Sequence, residues 1–220
     1  LDDIYNYRVV ADGCIDIVFN CTNYDETYIM GYCNSFVKIG IDKEFNYFGI
    51  RFLPGIFPSL FNIDASELSN HYERLNTVQP CIYKVIQQSK DRCLCLQDLC
   101  DELNFYFIKH INKIDKPFDN RFFCALETIL KSKGSIIIEK DLNDGISSRH
   151  LQRLFNFYIG DTAKSFCRIV RFQNLLKIDP SVKLTKSEKS YYDFGYYDQN
   201  HFIKEFKLFY GKTPSKIAAE

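Results

Sequence analysis

One motif occurs twice in this chain, 51 residues apart. In that register His150-Leu151-Gln152-Arg153-Leu154-Phe155 lies over His201-Phe202-Ile203-Lys204-Glu205-Phe206, and Gly160-Asp161-Thr162 lies over Gly211-Lys212-Thr213. Identities at His, Phe, Gly and Thr, with apolar and basic positions matched between them, mark each copy as one structural unit and give the two a common fold. Each unit is helical. In the second copy Phe202, Phe206 and Phe209 recur at i, i+4 and i+7 and so share a helix face. Gly195 can take the left-handed conformation that ends the preceding helix, and Asp198 is placed to cap the next. In the first copy Ser147 follows Ile146 as the cap, and Leu151, Leu154, Phe155 and Tyr158 form the apolar root.

The outer faces carry amides and cations. The second copy turns out Gln199, Asn200, Ile203, Lys204 and Lys207; the first turns out Arg149, Gln152, Arg153 and Asn156. Asn and Gln match adenine edges, while Arg and Lys match guanine or phosphate, so this is the chemistry of a helix that reads DNA. A solvated surface helix would carry similar residues, and one copy alone leaves the two readings level. The same outer chemistry on both copies favours DNA.

Taken together, the segments 146–155, Arg168-Ile169-Val170-Arg171-Phe172, Gly195-Tyr196-Tyr197-Asp198-Gln199-Asn200-His201-Phe202, Phe206-Lys207 and Gly211-Lys212-Thr213-Pro214-Ser215 resemble the paired helix-turn-helix domain of AraC/XylS-type transcription regulators. The resemblance covers about the last hundred residues. It implies base contacts at Arg149, Gln152 and Arg153 in the first copy and at Gln199, Asn200, Ile203 and Lys204 in the second. Tyr191 and Asp141 depart from the family's small residues in the supporting helices, which implies altered packing there. The helix starts after Gly160 and Gly211 are expected to hold phosphate. Thr162 and Thr213 are candidate caps, Pro214 suits a first helical position, and Lys164, Lys212 and Lys216 add charge. Ser148 and Lys207 complete the expected phosphate contacts. Residues 163–177 read as one helix joining the copies, about 22 Å long, so the units could sit about one DNA turn apart.

Charge divides as a nucleic-acid partner requires, although the chain's formal net charge is zero. Residues 1–117 carry 11 Lys and Arg against 16 Asp and Glu; residues 118–220 carry 17 against 12. The basic half is the repeat half. These ranges are the expected domains.

Residues 5–60 read as strands: 7–10, 14–20, 28–30, 35–39 and 47–52 are β-branched and aromatic runs broken by Ala11-Asp12-Gly13, Gly31, Gly40 and Gly49. Asp12-Gly13-Cys14-Ile15-Asp16-Ile17-Val18-Phe19 and Gly49-Ile50-Arg51-Phe52-Leu53-Pro54-Gly55 resemble the small cupin-like β-barrel that precedes the DNA-binding half in one branch of these regulators. That resemblance implies a sensor or assembly domain, with a small-molecule effector that the residues do not specify. Between Ile56 and Asn120 the pattern turns helical. After a capped turn at Asp64-Ala65-Ser66-Glu67-Leu68, the apolar residues Ile82, Val85, Ile86, Leu94, Leu96, Leu99, Leu103, Phe107 and Ile111 recur mostly at three and four residue steps. That stripe is either core or the face of a homodimer. Ile114-Asp115-Lys116-Pro117 is the expected linker. The fold class is therefore α+β: a small β-barrel with helices, then an all-α domain of two helix-turn-helix units.

Other function classes fit poorly. The four histidines are His71, His110 and the repeat-equivalent His150 and His201, the last two better explained as structural positions at helix starts. Asp98, Asp101 and Glu102 fall on one helix stretch and read as solvated face, and the region before residue 71 lacks the histidines of a cupin metal centre. Neither an enzyme, nor a metal, nor a cofactor is expected. An interaction module with weak DNA binding is the alternative to a regulator. The nine cysteines are scattered and odd in number, which reads as buried, reduced thiols in a cytoplasmic protein. No stretch approaches the ~18 apolar residues of a membrane span. The start at Leu1 reads as a chain lacking its first strand.

Overall fold

A computed structural model describes residues 4–42, 46–93, 95–115, 118–142, 145–178 and 190–217. Strands β1 (Ile4–Val9), β2 (Ile15–Asn20), β3 (Thr27–Met30), β4 (Val37–Asp42) and β5 (Tyr47–Phe52) come first, close to the runs that alternation predicts. They form two antiparallel sheets, β1 with β4 and, in the order β5-β2-β3, a larger one. Alternation decides which side of β2 is buried: Ile15, Ile17 and Phe19 point into the core. Helix α1 (Ile56–Phe61) and a 3-10 turn at Ala65–Leu68 follow; the Asp64 side chain accepts from the Ser66 amide and caps that turn, as expected.

The region expected to be wholly helical contains a sixth strand. β6 (Tyr72–Arg74) adds to the free edge of β3. Its three residues are all exposed, so no apolar alternation announces it. Backbone pairing, the edge contact of Tyr72 with Tyr28 and the Arg74 guanidinium over the Tyr28 ring hold it in place. Helices α2 (Leu75–Val78), α3 (Pro80–Arg92) and α4 (Leu96–Ile111) complete this half. The stripe read across α3 and α4 divides. Ile82, Ile86, Leu99 and Leu103 are buried with Phe19, Ile29 and Phe57, whereas Leu96 and Ile111 face out, as do Phe105 and Ile108, which the stripe does not include. Leu94, Lys116 and Pro117 lie outside the described residues.

The repeat half is all helix: α5 (Asn120–Lys131), α6 (Ile138–Asp141), α7 (Ser148–Ile159), α8 (Ala163–Ile178), α9 (Ser190–Asp193), α10 (Gln199–Tyr210) and α11 (Pro214–Ile217). α8 is the single long joining helix, with Phe166, Ile169, Phe172 and Leu175 buried. Among these helices runs one apolar cluster of Phe122, Ile129, Phe155, Phe166, Phe172, Phe206 and Phe209, and Ala11 and Tyr32 from the strand half belong to it. Several hydrogen bonds cross between the halves. Ala11 N–H donates to the Phe209 carbonyl (3.1 Å), Phe36 N–H to the Leu208 carbonyl (3.0 Å), Ser69 Oγ to the Gly160 carbonyl (2.9 Å) and Gln173 Nε2 to the Ala11 carbonyl (2.6 Å).

All nine cysteines are free, but only Cys33 and Cys167 are buried; Cys81, Cys95 and Cys124 are exposed. The exposed three sit on the solvent sides of α3, α5 and the α4 cap, where a thiol leaves a helix's apolar face unchanged.

Candidate nucleic-acid interface

Both repeat copies fold as a short supporting helix, a turn and a longer outer helix. Ser147 Oγ accepts from the His150 amide (3.3 Å) and Asp198 Oδ1 from the His201 amide (2.7 Å), so each outer helix has the cap its sequence implies. Gly160 (φ 95°) and Gly211 (φ 89°) end α7 and α10 in the left-handed region. Gly195 (φ 75°) makes the turn before α10.

The two departures in the supporting helices have structural roles. Asp141 Oδ2 accepts from the Ile137 amide (2.8 Å), folding back to cap α6, a helix of four residues. Tyr191 stacks on Phe202, with ring planes 11° apart. Residues 184–189 of the second supporting segment lie outside the described residues.

Arg149, Gln152 and Arg153 are exposed on α7, and Gln199, Asn200 and Lys204 are exposed on α10. Ile203 is half-buried and packs on the helical cluster. Of the expected phosphate residues, Ser148, Lys164, Lys207 and Lys216 are exposed, while Thr162, Lys212 and Thr213 are half-buried. Thr162 Oγ1 accepts from the Ser165 amide (3.1 Å) and caps α8. Thr213 differs from the expected cap: its hydroxyl lies 3.2 Å from the Ser215 hydroxyl, at the start of a helix of four residues.

Two hollows lie side by side here. One is lined by Ser148, Gln152, Glu139, Thr162 and Lys164. The other, about 590 Å³, is lined by Lys164, Arg168, Arg171, Lys204, Glu139 and Glu205. Lys164 and Glu139 border both, so Ser148 and Gln152 of α7 and Lys204 of α10 stand over adjoining hollows that together make a trough along α8.

Sequence reasoning missed the charge at the root of the second copy. Glu205 is 4 % exposed and sits where the first copy has Leu154. Its Oε1 accepts from Arg168 Nε (2.5 Å) and lies 3.1 Å from His201 Nε2, while Oε2 is buried without a hydrogen-bond partner. Arg168 also lies over the Phe209 ring and Arg171 over Tyr196, both at 5.4 Å, and Arg171 donates to the Gly134 carbonyl (3.2 Å). Burial, reinforced by the Glu205 carboxylate, pushes the Tyr196 phenol well above its ordinary value. The available signal was a lone acid in the repeat register of a leucine.

Among the described residues no three His, Cys, Asp or Glu side chains converge as a metal-ligand set, and no helix is long and apolar enough to cross a membrane. No curated protein and no solved structure matches the chain. Two domain families do match: residues 2–74 match a domain of unknown function (DUF6597), and residues 144–220 match a helix-turn-helix domain. The second match spans α7 to α11 and so takes in both outer helices. With its two capped outer helices, the segment 144–220 is an AraC-type helix-turn-helix domain, the DNA-binding part of a transcription regulator.

Proposed function

We propose that the chain is a sequence-specific regulator that reads two unlike half-sites about 10 base pairs apart, one with α7 and one with α10. The observation that carries this reading is the pair of capped outer helices, α7 rooted in Leu151, Leu154 and Phe155 and α10 in Phe202, Phe206 and Phe209, each turning amides and cations to solvent. Arg153 grips guanine through two parallel bonds, and Gln152 and Asn200 pair with adenine edges; each such pair is worth about 1–3 kcal/mol of discrimination. Arg149, Gln199, Ile203 and Lys204 complete the base contacts, and Ser148, Thr162, Lys164, Lys207, Lys212, Thr213 and Lys216 hold the phosphates on either side. Residues 118–220 form the DNA-binding unit; residues 1–117 form a sensor or assembly unit responding to a small-molecule effector. The outward Phe105, Ile108 and Ile111 of α4 support self-association of that unit as a homodimer.

Selection of bound DNA from a random library tests this. The expected product is an asymmetric site of two half-sites, and Arg153→Ala should relax one or two base positions in one half-site while the other half-site and non-specific binding stay nearly intact. Recovery of no preferred sequence would refute base reading.

A further inference from the structure

Lys164, Arg168 and Arg171 stand at i, i+4 and i+7 on α8 and therefore share one face of that helix, the face that floors the trough between the two outer helices. We propose that this face is a cradle for a DNA phosphate strand, gripping the backbone that spans the gap between the two half-sites. The proposal rests on the two-half-site reading above and adds a contact that reads no base.

Three observations carry it. The first is position. Lys164 borders both hollows; the first hollow reaches Ser148 and Gln152 of α7, and the second reaches Lys204 of α10. A duplex that touches both outer helices must pass over the floor between them. The second is charge. Lys164, Arg168, Arg171 and Lys204 line the second hollow against two acids, and one of these, Glu205, is buried and already engaged by Arg168 and His201. The bond to Glu205 uses only the Nε–H of Arg168, one of the five N–H donors of a guanidinium, and a third of that side chain (36 %) stays open to solvent. The third is length. Seven residues of helix advance about 10 Å. One strand of B-DNA places a phosphate every ~3.4 Å along its axis, so the row spans about three phosphates. Glu205 thus has a use beyond packing: it holds the Arg168 fork at the middle of the row.

The test uses the full chain on its selected site. Ethylating individual phosphates should block binding at about three consecutive positions on one strand in the gap, besides those within the half-sites. Interference confined to the half-sites would overturn the cradle. The paired variant Arg168→Met with Glu205→Leu removes the cation without stranding the acid and leaves the formal charge of the chain unchanged. Its slope of log affinity against log salt should be shallower by about 0.9, so its deficit against the parent should shrink roughly threefold to fourfold between 50 and 200 mM salt. An unchanged slope overturns the contact. Half-sites recovered with silent gap phosphates would remove the cradle alone; no preferred site and no gap interference would remove both it and the reading on which it rests.

Discussion

Glu205 and Leu154 hold equivalent places in the two copies, yet one is a carboxylate and the other a hydrocarbon. A buried carboxylate persists only with a partner, and Arg168 is the charged one that reaches across from α8. Removing Arg168 alone leaves the buried acid with only the His201 imidazole beside it. Arg168→Met should therefore cost roughly 3–5 kcal/mol of stability. Adding Glu205→Leu, the residue of the first copy, should restore most of that loss, because a well-packed hydrophobic pair replaces a buried ion pair at little cost. Urea midpoints of the two variants decide the matter; equal midpoints would mean that Arg168 contributes packing rather than charge. This network was hidden in the sequence. By spacing Glu205 falls on the buried face with Phe202, Phe206 and Phe209, but its partner Arg168 stands thirty-seven positions away in the chain, on α8, and no local pattern connects the two.

At the scale of single elements, the outer helices were legible because cap, apolar period and terminal glycine agree within each. Ser147 with Gly160 and Asp198 with Gly211 bracket two twelve-residue helices. The supporting helices were less legible. Asp141 reads as a misfit on a face where a small residue is expected, but its carboxylate caps α6 by accepting from the Ile137 amide. Asp141→Ala should therefore destabilise the first unit by about 1 kcal/mol, the ordinary worth of a cap, rather than improve its packing. Thermal melts of the full chain would show the sign. β6 was illegible for a different reason: an edge strand of three exposed residues is held by backbone pairing and carries no burial pattern. The β-branched and aromatic runs gave the other strands to within a few residues, and β2 and β3 set alternate residues into the core.

At the scale of the whole molecule, the repeat half is docked on the strand half through the carbonyl ends of both outer helices. Gly160, Leu208 and Phe209 accept hydrogen bonds from Ser69, Phe36 and Ala11, and Tyr32 reaches Ser165 at the start of α8 (3.1 Å). Nothing in the sequence announces these contacts, which join residues up to about two hundred positions apart through single backbone groups. Gly160 sits closest to the seam. A Cβ there would collide with Ser69 Oγ and lie 2.8 Å from the Ala65 carbonyl oxygen, at a φ of 95° that L side chains rarely adopt. Gly160→Ala should prise the halves apart and split one calorimetric unfolding transition into two. A single transition at an unchanged temperature would show that the seam yields without cost. The seam also gives the molecule a front and a back. If α7 and α10 read the two unlike half-sites proposed above, a bound chain has an arrow along the duplex, and the strand half, hydrogen-bonded to both outer helices, follows that arrow. Inverting the site within a promoter would swing the strand half to the opposite flank, so the same protein on the same bases would offer the transcription machinery a different face.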